Sequence, residues 1–435
     1  MQGCRSNPFI RLSLMLCSLM GFSVSALAGG YQVGEMATRA SGMGSAFTAV
    51  ADDASAAWHN PAGVAFTQGS QVMGGADALY VPGVKYTSNS STTTGAGAAN
   101  TTSSKAKTKG FIVPHLYYTH MDASSDLGWS IGVNSPFGLE TNWPVDGPLA
   151  SKNTFSRIQM VMINPSAVYR VNDNLAIAAG INYAYLNNVD LNSTNQILNG
   201  NGDGWGVNAS VMYKKDDFSA GISYRSQVRV NVTGTATAQS TLRTLGGTTT
   251  GAKSRVTLPD QVNVGFAYKP NKDWLLSLDV DWVNWKTYDA ILITYDSAAY
   301  RTAVSTLQGA VGATATGYTN DPRNWKATTA FRLGAEWSYN TSMRARFGYV
   351  FDPTPSSDVH WSPSTPDSDR HIISAGYGYD INTQTTLDLL YAYVYFKDRN
   401  QTASPNTPAT SQNSIKNGLY KSKVHILAAS VNYRF

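Results

Sequence analysis

The sequence predicts an all-β fold, a transmembrane antiparallel β-barrel of about 14 strands with a small N-terminal helical hatch plugging the lumen. Three observations carry that prediction. First, apolar residues alternate with polar ones over most of the chain beyond residue 70, as in Trp274, Leu276, Leu278, Val280 and Trp282 against Ser277, Asp279 and Asp281. Second, the face opposite the apolar one is rich in Gly, Ser, Ala and Asn, and charged residues make up only 14% of the chain. A soluble sandwich also alternates, but it opposes its core with a well-charged solvent face. Third, the chain opens with a leader of export type and closes on VNYRF, an alternating strand with an aromatic last residue.

Residues 1–28 read as a signal peptide. Arg5 and Arg11 supply the positive region, residues 12–24 the apolar one, and Ala26-Leu27-Ala28 the small-residue cleavage signature. Cys4 and Cys17 both lie in this leader, so the mature chain has neither a thiol nor a disulfide framework. Removing the leader takes away two arginines and no acid, and the net charge of +5 becomes +3. A weak excess without Lys/Arg runs argues against nucleic acid as a partner. Beyond Ala28 no apolar run approaches the ~18 residues of a spanning helix. The mature chain is then either soluble or a barrel, the non-helical way to satisfy every backbone group in lipid.

Residues 29–67 do not alternate. They are rich in Ala and Gly, contain AFTAVADDASAAWHNPAG, and hold helix-compatible pieces that end at Asn60-Pro61. This segment is expected to fold as a hatch inside the barrel formed by residues 68–435; the alternative is an unstructured lead into the first strand. Fourteen alternating segments follow, near 70–86, 110–121, 127–142, 153–171, 174–191, 203–214, 217–233, 253–269, 273–292, 323–340, 342–352, 368–381, 384–398 and 420–435. Short turns such as Asn172-Asp173, Lys215-Asp216 and Asn382-Thr383 alternate with long connections at 87–109, 233–253, 296–322 and 400–419. The former are expected on the periplasmic side, the latter outside the cell as mobile, low-complexity loops.

One strand breaks its own pattern. In SIGVNSPFGLETNW, residues 130–143, Pro136 and Gly138 interrupt the alternation. Proline removes a ladder donor and glycine weakens a strand interior. In a barrel wall the pair can bend the strand inward and open a side window, or it can be an ordinary β-bulge. Asn60-Pro61-Ala62 can latch such a window, because an amide bonds freed backbone groups at both ends; it can equally be a helix stop. Asp52 and Asp53 can anchor the hatch to wall bases such as Arg225, Arg344 or Arg346, or simply end a solvated helix. Enzyme chemistry has little to stand on. The six histidines show no metal spacing, and His371 and Ser374, three apart, fall on opposite faces of a strand.

The order of several motifs gives the chain a family likeness. The start GGYQVGEMATRASGMGSAFTAVADDASAAWHNPAG, then NSPFGLETNW, INPSAVYRVNDNLAIAAGINY, LPDQVNVGFAY, NWKATTAFRLGAEW and TPDSDRHIISAGYGY together resemble the FadL-type outer-membrane transporters of long-chain fatty acids and other hydrophobic compounds. The resemblance implies a monomeric barrel of about fourteen strands in the bacterial outer membrane, closed by a hatch and carrying ligand passively, with no cofactor, metal or catalytic group. It implies an inward kink of the third strand at Asn134, Ser135, Pro136, Phe137 and Gly138, with lateral exit into outer-membrane lipid. Lys326 matches a lysine of the family's ligand site, and Arg332 and Phe137 lie close enough in sequence or kink to join it.

Two departures leave the ligand open between a fatty acid and a neutral aromatic hydrocarbon. Where the fatty-acid members carry a further arginine, this chain has YLNNVDLN, and the connection at 193–202 is short. Residues 296–322, with Ala298, Ala299, Tyr300, Ala303, Val304 and Leu307, can supply a substitute apolar helix. A general porin and an outer-membrane lipid hydrolase are the remaining alternatives.

Overall fold

In the computed structural model, residues 29–88, 103–310, 312–402 and 417–435 are described. The leader, and parts of the connections at 87–109 and 400–419, lie outside them. Fourteen antiparallel strands close into one barrel. They are β1 (Gly69–Val81), β2 (Lys109–Met121), β3 (Leu127–Asn134 and Leu139–Asn142), β4 (Phe155–Asn172) and β5 (Leu175–Asn192). Next come β6 (Gln196–Lys215), β7 (Phe218–Arg225 and Val228–Ala238), β8 (Thr249–Leu258 and Gln261–Asn271) and β9 (Trp274–Val283 and Ala290–Tyr295). The circuit is completed by β10 (Thr319–Pro322 and Thr328–Ser338), β11 (Met343–Asp352), β12 (Arg370–Asp380), β13 (Thr385–Phe396) and β14 (Lys423–Arg434). The last strand closes on the first, from Gln71↔Arg434 to Tyr80↔His425.

The alternation sorts side chains as a membrane barrel requires. On β9, Leu276, Leu278 and Trp282 are exposed to the outside while Leu275, Ser277, Asp279 and Asp281 are buried toward the lumen. Apolar residues facing out along whole strands suit lipid and would be costly in water.

Residues 29–67 lie within the ring of strands and are almost wholly buried. They hold two short helices, α1 (Thr38–Gly42) and α2 (Ala56–His59), and a 3-10 turn at Pro61–Phe66. Asp53 Oδ1 accepts from the N–H and hydroxyl of Ser55 and starts α2. Asn60 Oδ1 accepts from Ala62 N–H, and Pro61 takes the first turn position, where its missing donor costs nothing. The Ala/Gly content lets backbone approach backbone: a Cβ on Gly348 of β11 would sit 2.0 Å from Gly44 N.

Three connections differ from the sequence expectation: the short one at 193–202 is shorter still, and the low-complexity ones at 233–253 and 296–322 are more ordered. β6 starts at Gln196, seven positions before the expected 203, so only residues 193–195 link it to β5. The β7–β8 connection holds α3 (Ser240–Thr244), and the β9–β10 connection holds α4 (Ala298–Ala310). Tyr300, Ala303 and Val304 of α4 are buried against Leu198, Ala236, Leu242, Ala252 and Ile293, the helical face that the apolar spacing predicts. Beyond the barrel end opposite the short turns, the end expected to face outward, strands Lys85–Ser88, Ser103–Lys105, Arg399–Gln401 and Gly418–Lys421 form a separate four-stranded sheet.

Candidate functional site

The wall is interrupted at β3. Its first half pairs with β2 from Leu116↔Val133 to Met121↔Gly128 and with β4 on the other side. Its second half pairs with β4, from Leu139↔Ile158 to Asn142↔Phe155, but not with β2. Residues 109–115 of β2 therefore have no ladder partner on the β3 side among the described residues. Against β4 the kink is a bulge by count, since Asn134 pairs with Met162 and Leu139 with Ile158, five steps opposite four. Against β2 it is a slot. The slot closes at its outer end, where Lys107 N–H donates to Asn142 O at 2.8 Å and Lys109 Nζ lies 3.1 Å from Glu140 Oε1.

The N-terminal segment stands in for the missing strand. Val33 N–H donates to Pro136 O and Gly138 N–H donates to Tyr31 O, both at 2.8 Å, and Gln32 and Phe137 form an antiparallel bridge between them. Backbone groups that lipid would leave unpaired are thus satisfied from inside. None of residues 135–138 takes a positive φ. The bend rests on Pro136 and on these substitute bonds, not on a left-handed Gly138.

Tyr31 then plugs the space behind the kink. Its ring centroid lies 4.9 Å from Trp285, 5.3 Å from Tyr288, and 5.9 Å from both Phe137 and Trp325. Gly30 makes this possible: its φ is +66°, and a Cβ there would meet Trp325 Cζ3 at 2.3 Å. Gly30→Ala is expected to lift residues 31–33 off the kink, at a cost of at least about 1–2 kcal/mol from the left-handed backbone alone. Hydrogen exchange at peptides containing Val33 and Gly138 should rise by roughly ten-fold. Unchanged protection would contradict the substitute-strand role.

Beside the second half of β3 lies an apolar cavity of about 90 Å³, lined by Leu139, Ile158, Val189, Leu198, Val232 and Ile291 among others. Three bases stand at its edge, one of them Lys253, which is paired with Asp296 at 3.1 Å. Arg157 is paired with Asp190 at 2.7 Å, and Arg255 Nε donates to Asn231 Oδ1 at 3.3 Å. A polar vestibule of about 410 Å³ adjoins it through Leu191 and Ser364 and is lined by Lys152, Asp321, Asp358 and His360. Burial pushes the Lys152 ammonium below the usual lysine range, with Asp321 opposing the shift. α4 packs over Leu198, Ala252 and Ile293, three residues of the cavity wall.

Charges tie the inner segment to the wall. Arg39 pairs with Asp52 at 2.5 Å, Asp53 at 3.2 Å and Glu336 at 3.1 Å, and Arg346 pairs with Glu336 and with Asp388, both at 2.6 Å. Asp279 Oδ2 accepts from Phe47 N–H at 3.0 Å and Thr48 N–H at 2.9 Å. Asn164 Nδ2 donates to Ala57 O, and the Arg170 guanidinium donates to Ala65 O. His59 is a neutral member of this packing: burial, with Arg225 and Arg332 beside it, pushes its imidazole down to about 3.

The residues singled out from sequence fall in three places. Asn134, Ser135, Pro136, Phe137 and Gly138 form the break itself; Asn134 Nδ2 donates to Tyr117 OH at 3.4 Å. Asn60 and Ala62 do not bond the kink: Asn60 Nδ2 donates to Thr48 O and Val211 O, and Ala62 N–H donates to Ser210 Oγ. Asp52 and Asp53 meet Arg39 of their own segment, while Arg344 pairs with Asp380, Arg346 with Glu336 and Asp388, and Arg225 lies 3.7 Å from the Trp58 ring centroid. Lys326 is exposed, and its backbone N–H donates to Pro355 O. Arg332 is buried on Asp281 and Gly44 O, holding the inner segment. His371 bonds Tyr349 OH on the outer face, whereas Ser374 Oγ donates to Gly42 O on the inner one.

Sequence reasoning missed Gln32, Tyr31, Trp285, Tyr288, Trp325 and the cavity wall. Their signal was present only as GGYQV and as tryptophans at strand ends.

Comparison with known proteins gives a consistent result. The family model described as outer membrane protein transport protein (OMPP1/FadL/TodX) matches residues 19–435. The long-chain fatty acid transport protein of Escherichia coli K12 is 23% identical over 425 residues, covering 86% of this chain and 89% of that protein. The crystal structure of a Pseudomonas aeruginosa FadL homologue superposes with a TM-score of 0.77 at 16% identity, covering 93% of this chain and 100% of that one. The toluene transporter TbuX of Ralstonia pickettii gives a TM-score of 0.64 at 17% identity, covering 92% and 98%.

Proposed function

The chain belongs to the OMPP1/FadL/TodX family of outer-membrane transport proteins, and from that premise we propose that it carries long-chain fatty acids passively from the cell exterior to the outer-membrane lipid. Ligand enters the polar vestibule, passes into the apolar cavity, and leaves sideways through the slot beside β3 once residues 31–33 withdraw. Residues 29–67 act as the hatch. The protein is a transporter and not an enzyme.

The observation that carries this reading is the contiguity of cavity and slot. Leu139, which lines the cavity, is also the first residue of the half-strand that β2 leaves unpaired. An apolar ligand in that cavity sits next to the wall opening. The fatty-acid form of the proposal is supported by Lys152 in the vestibule, whose ammonium gains from an anionic partner, and by Arg255 at the cavity edge.

A second reading, a neutral aromatic ligand, is favoured by one specific observation. Arg157 and Arg332 are each already committed to a carboxylate, Asp190 and Asp281. Native mass spectrometry of the purified protein with palmitate and toluene in competition separates the two. Palmitate retention that drops at least about ten-fold in a Lys152→Gln/Arg255→Gln variant supports the fatty-acid reading, on the scale of one charge-assisted bond. Retention of toluene, with palmitate unbound, supports the neutral one.

A further inference from the structure

The outer face of the barrel changes character in steps toward its extracellular rim. On β14 the outward side chains run Val431, Ala429, Leu427, His425, Lys423; on β13 they run Leu389, Tyr391, Tyr393, Tyr395, Lys397. Cross-strand register aligns the steps: Tyr393↔His425, Tyr395↔Lys423 and His371↔Tyr395, with Tyr80 of β1 opposite His425. Tyr391 OH and His425 Nδ1 lie 3.0 Å apart, and the Tyr393 and His425 rings 5.1 Å apart. An apolar band bounded by an aromatic girdle marks the membrane boundary. The lysines stand just outside it.

The separate outer sheet continues this basic step. Lys85 is paired directly with Lys421 on one side and with Lys105 on the other. All three are exposed, while Tyr86 and Tyr420 point to the opposite, buried face against Trp143 and Trp361. Three like charges in one cross-strand row repel each other. The described carboxylates on this face are Asp398, 2.6 Å from Lys421, and Asp369, 3.7 Å from Lys397. The adjoining sequence segments 89–102 and 403–416 contain no Asp or Glu. Five lysines, Lys85, Lys105, Lys397, Lys421 and Lys423, thus meet two acids on this face.

We propose that this face, over β13, β14, β1 and the outer sheet, is a docking site for a phosphorylated glycolipid of the outer leaflet. Its acyl chains lie on Leu389 and Leu427, its sugars meet the Tyr391–Tyr393–His425 girdle, and its phosphates meet the Lys105–Lys85–Lys421 row. Charge complementarity selects this occupant: the row presents point charges at a fixed cross-strand spacing, outside the apolar band, where outer-leaflet phosphates lie. The bound lipid also relieves the repulsion within the row.

The test uses the full mature protein in detergent, with lipid retention read by native mass spectrometry. The probes are bisphosphorylated lipid A, dephosphorylated lipid A and phosphatidylglycerol. Wild type is expected to retain bisphosphorylated lipid A. A Lys85→Gln/Lys105→Gln/Lys421→Gln variant should bind it on the order of 100-fold more weakly, from roughly five-fold per lysine at an anionic lipid surface. Dephosphorylated lipid A should show a similar loss on wild type, which needs no variant to fold. A Lys215→Gln/Lys269→Gln/Lys272→Gln variant, neutralised at the far rim, should bind like wild type. Equal binding by the first variant, or equal binding of dephosphorylated lipid A or phosphatidylglycerol to wild type, would overturn the proposal.

Discussion

Deleting Pro136 and replacing Gly138 by valine is expected to abolish uptake while leaving ligand binding within about two-fold of wild type. The kink holds one residue more than the β4 stretch it faces, so substitution alone would leave a bulge. With the deletion, β3 runs from Asn134 opposite Met162 to Leu139 opposite Ile158 without a break in count. Valine adds a β-branched residue suited to a pleated wall, and the restored donors can pair with β2 at 109–115. Once that ladder forms, residues 31–33 have no acceptor at Pro136 and no donor at Gly138. Ligand still reaches the cavity from the vestibule but finds a sealed wall. Uptake of labelled palmitate by cells, beside retention by the purified protein, checks both halves; a folded variant that transports normally would contradict the side exit.

Arg39→Leu is expected to open the barrel to ions. Arg39 joins three carboxylates, Asp52, Asp53 and Glu336. Its loss leaves Arg346 to cover Glu336 but no cation to cover Asp53, whose side chain is 2% exposed and keeps only its bonds from Ser55. Breaking a buried pair by removing one partner costs about 3–5 kcal/mol, and here the cost falls on the hatch rather than on the strand ladders. Single-channel conductance in planar bilayers should rise at least about ten-fold, the scale set by a fraction of that energy. Arg39→Lys should rescue only partly, because an ammonium lacks the planar fork that reaches several carboxylates together. A closed, wild-type conductance for Arg39→Leu would show that hydrogen bonds such as Asp279 to Phe47 and Thr48 hold the hatch unaided.

What was legible in the sequence follows from the range of each signal. Strands announce themselves by period two within ten residues, so β1 to β14 were predicted in number and order. α4 was foreseen for the same reason, its apolar residues recurring at 300, 303, 304 and 307. Pro136 and Gly138 marked the break because their effect on a ladder is local. The substitute strand was not legible, since Val33 to Pro136 is a backbone bond that leaves no trace in side-chain type. Asn60 was a reasonable latch for the kink by chemistry, yet its amide is used by Thr48 and Val211. Arg39 meets Glu336 from 297 residues away, and that pairing exists only once the barrel has closed. Lys326 carries the right charge, but its exposed position is set by the β10 break between Pro322 and Thr328.

The central claim is that residues 31–33 must leave the kink for ligand to exit. Gln32 and Phe137 are flanked by the Val33–Pro136 and Tyr31–Gly138 bonds, which makes them a non-hydrogen-bonded antiparallel pair. Such pairs bring Cα atoms to about 4.5 Å, within reach of a disulfide. Cys4 and Cys17 are the only cysteines of the sequence and both lie within residues 1–28, the expected signal peptide, so Gln32→Cys/Phe137→Cys introduces the one thiol pair of residues 29–435. The measurement is palmitate uptake by cells carrying this variant, oxidised and then reduced. Uptake blocked in the oxidised form and restored on reduction is the predicted result; equal uptake in both forms would contradict the account.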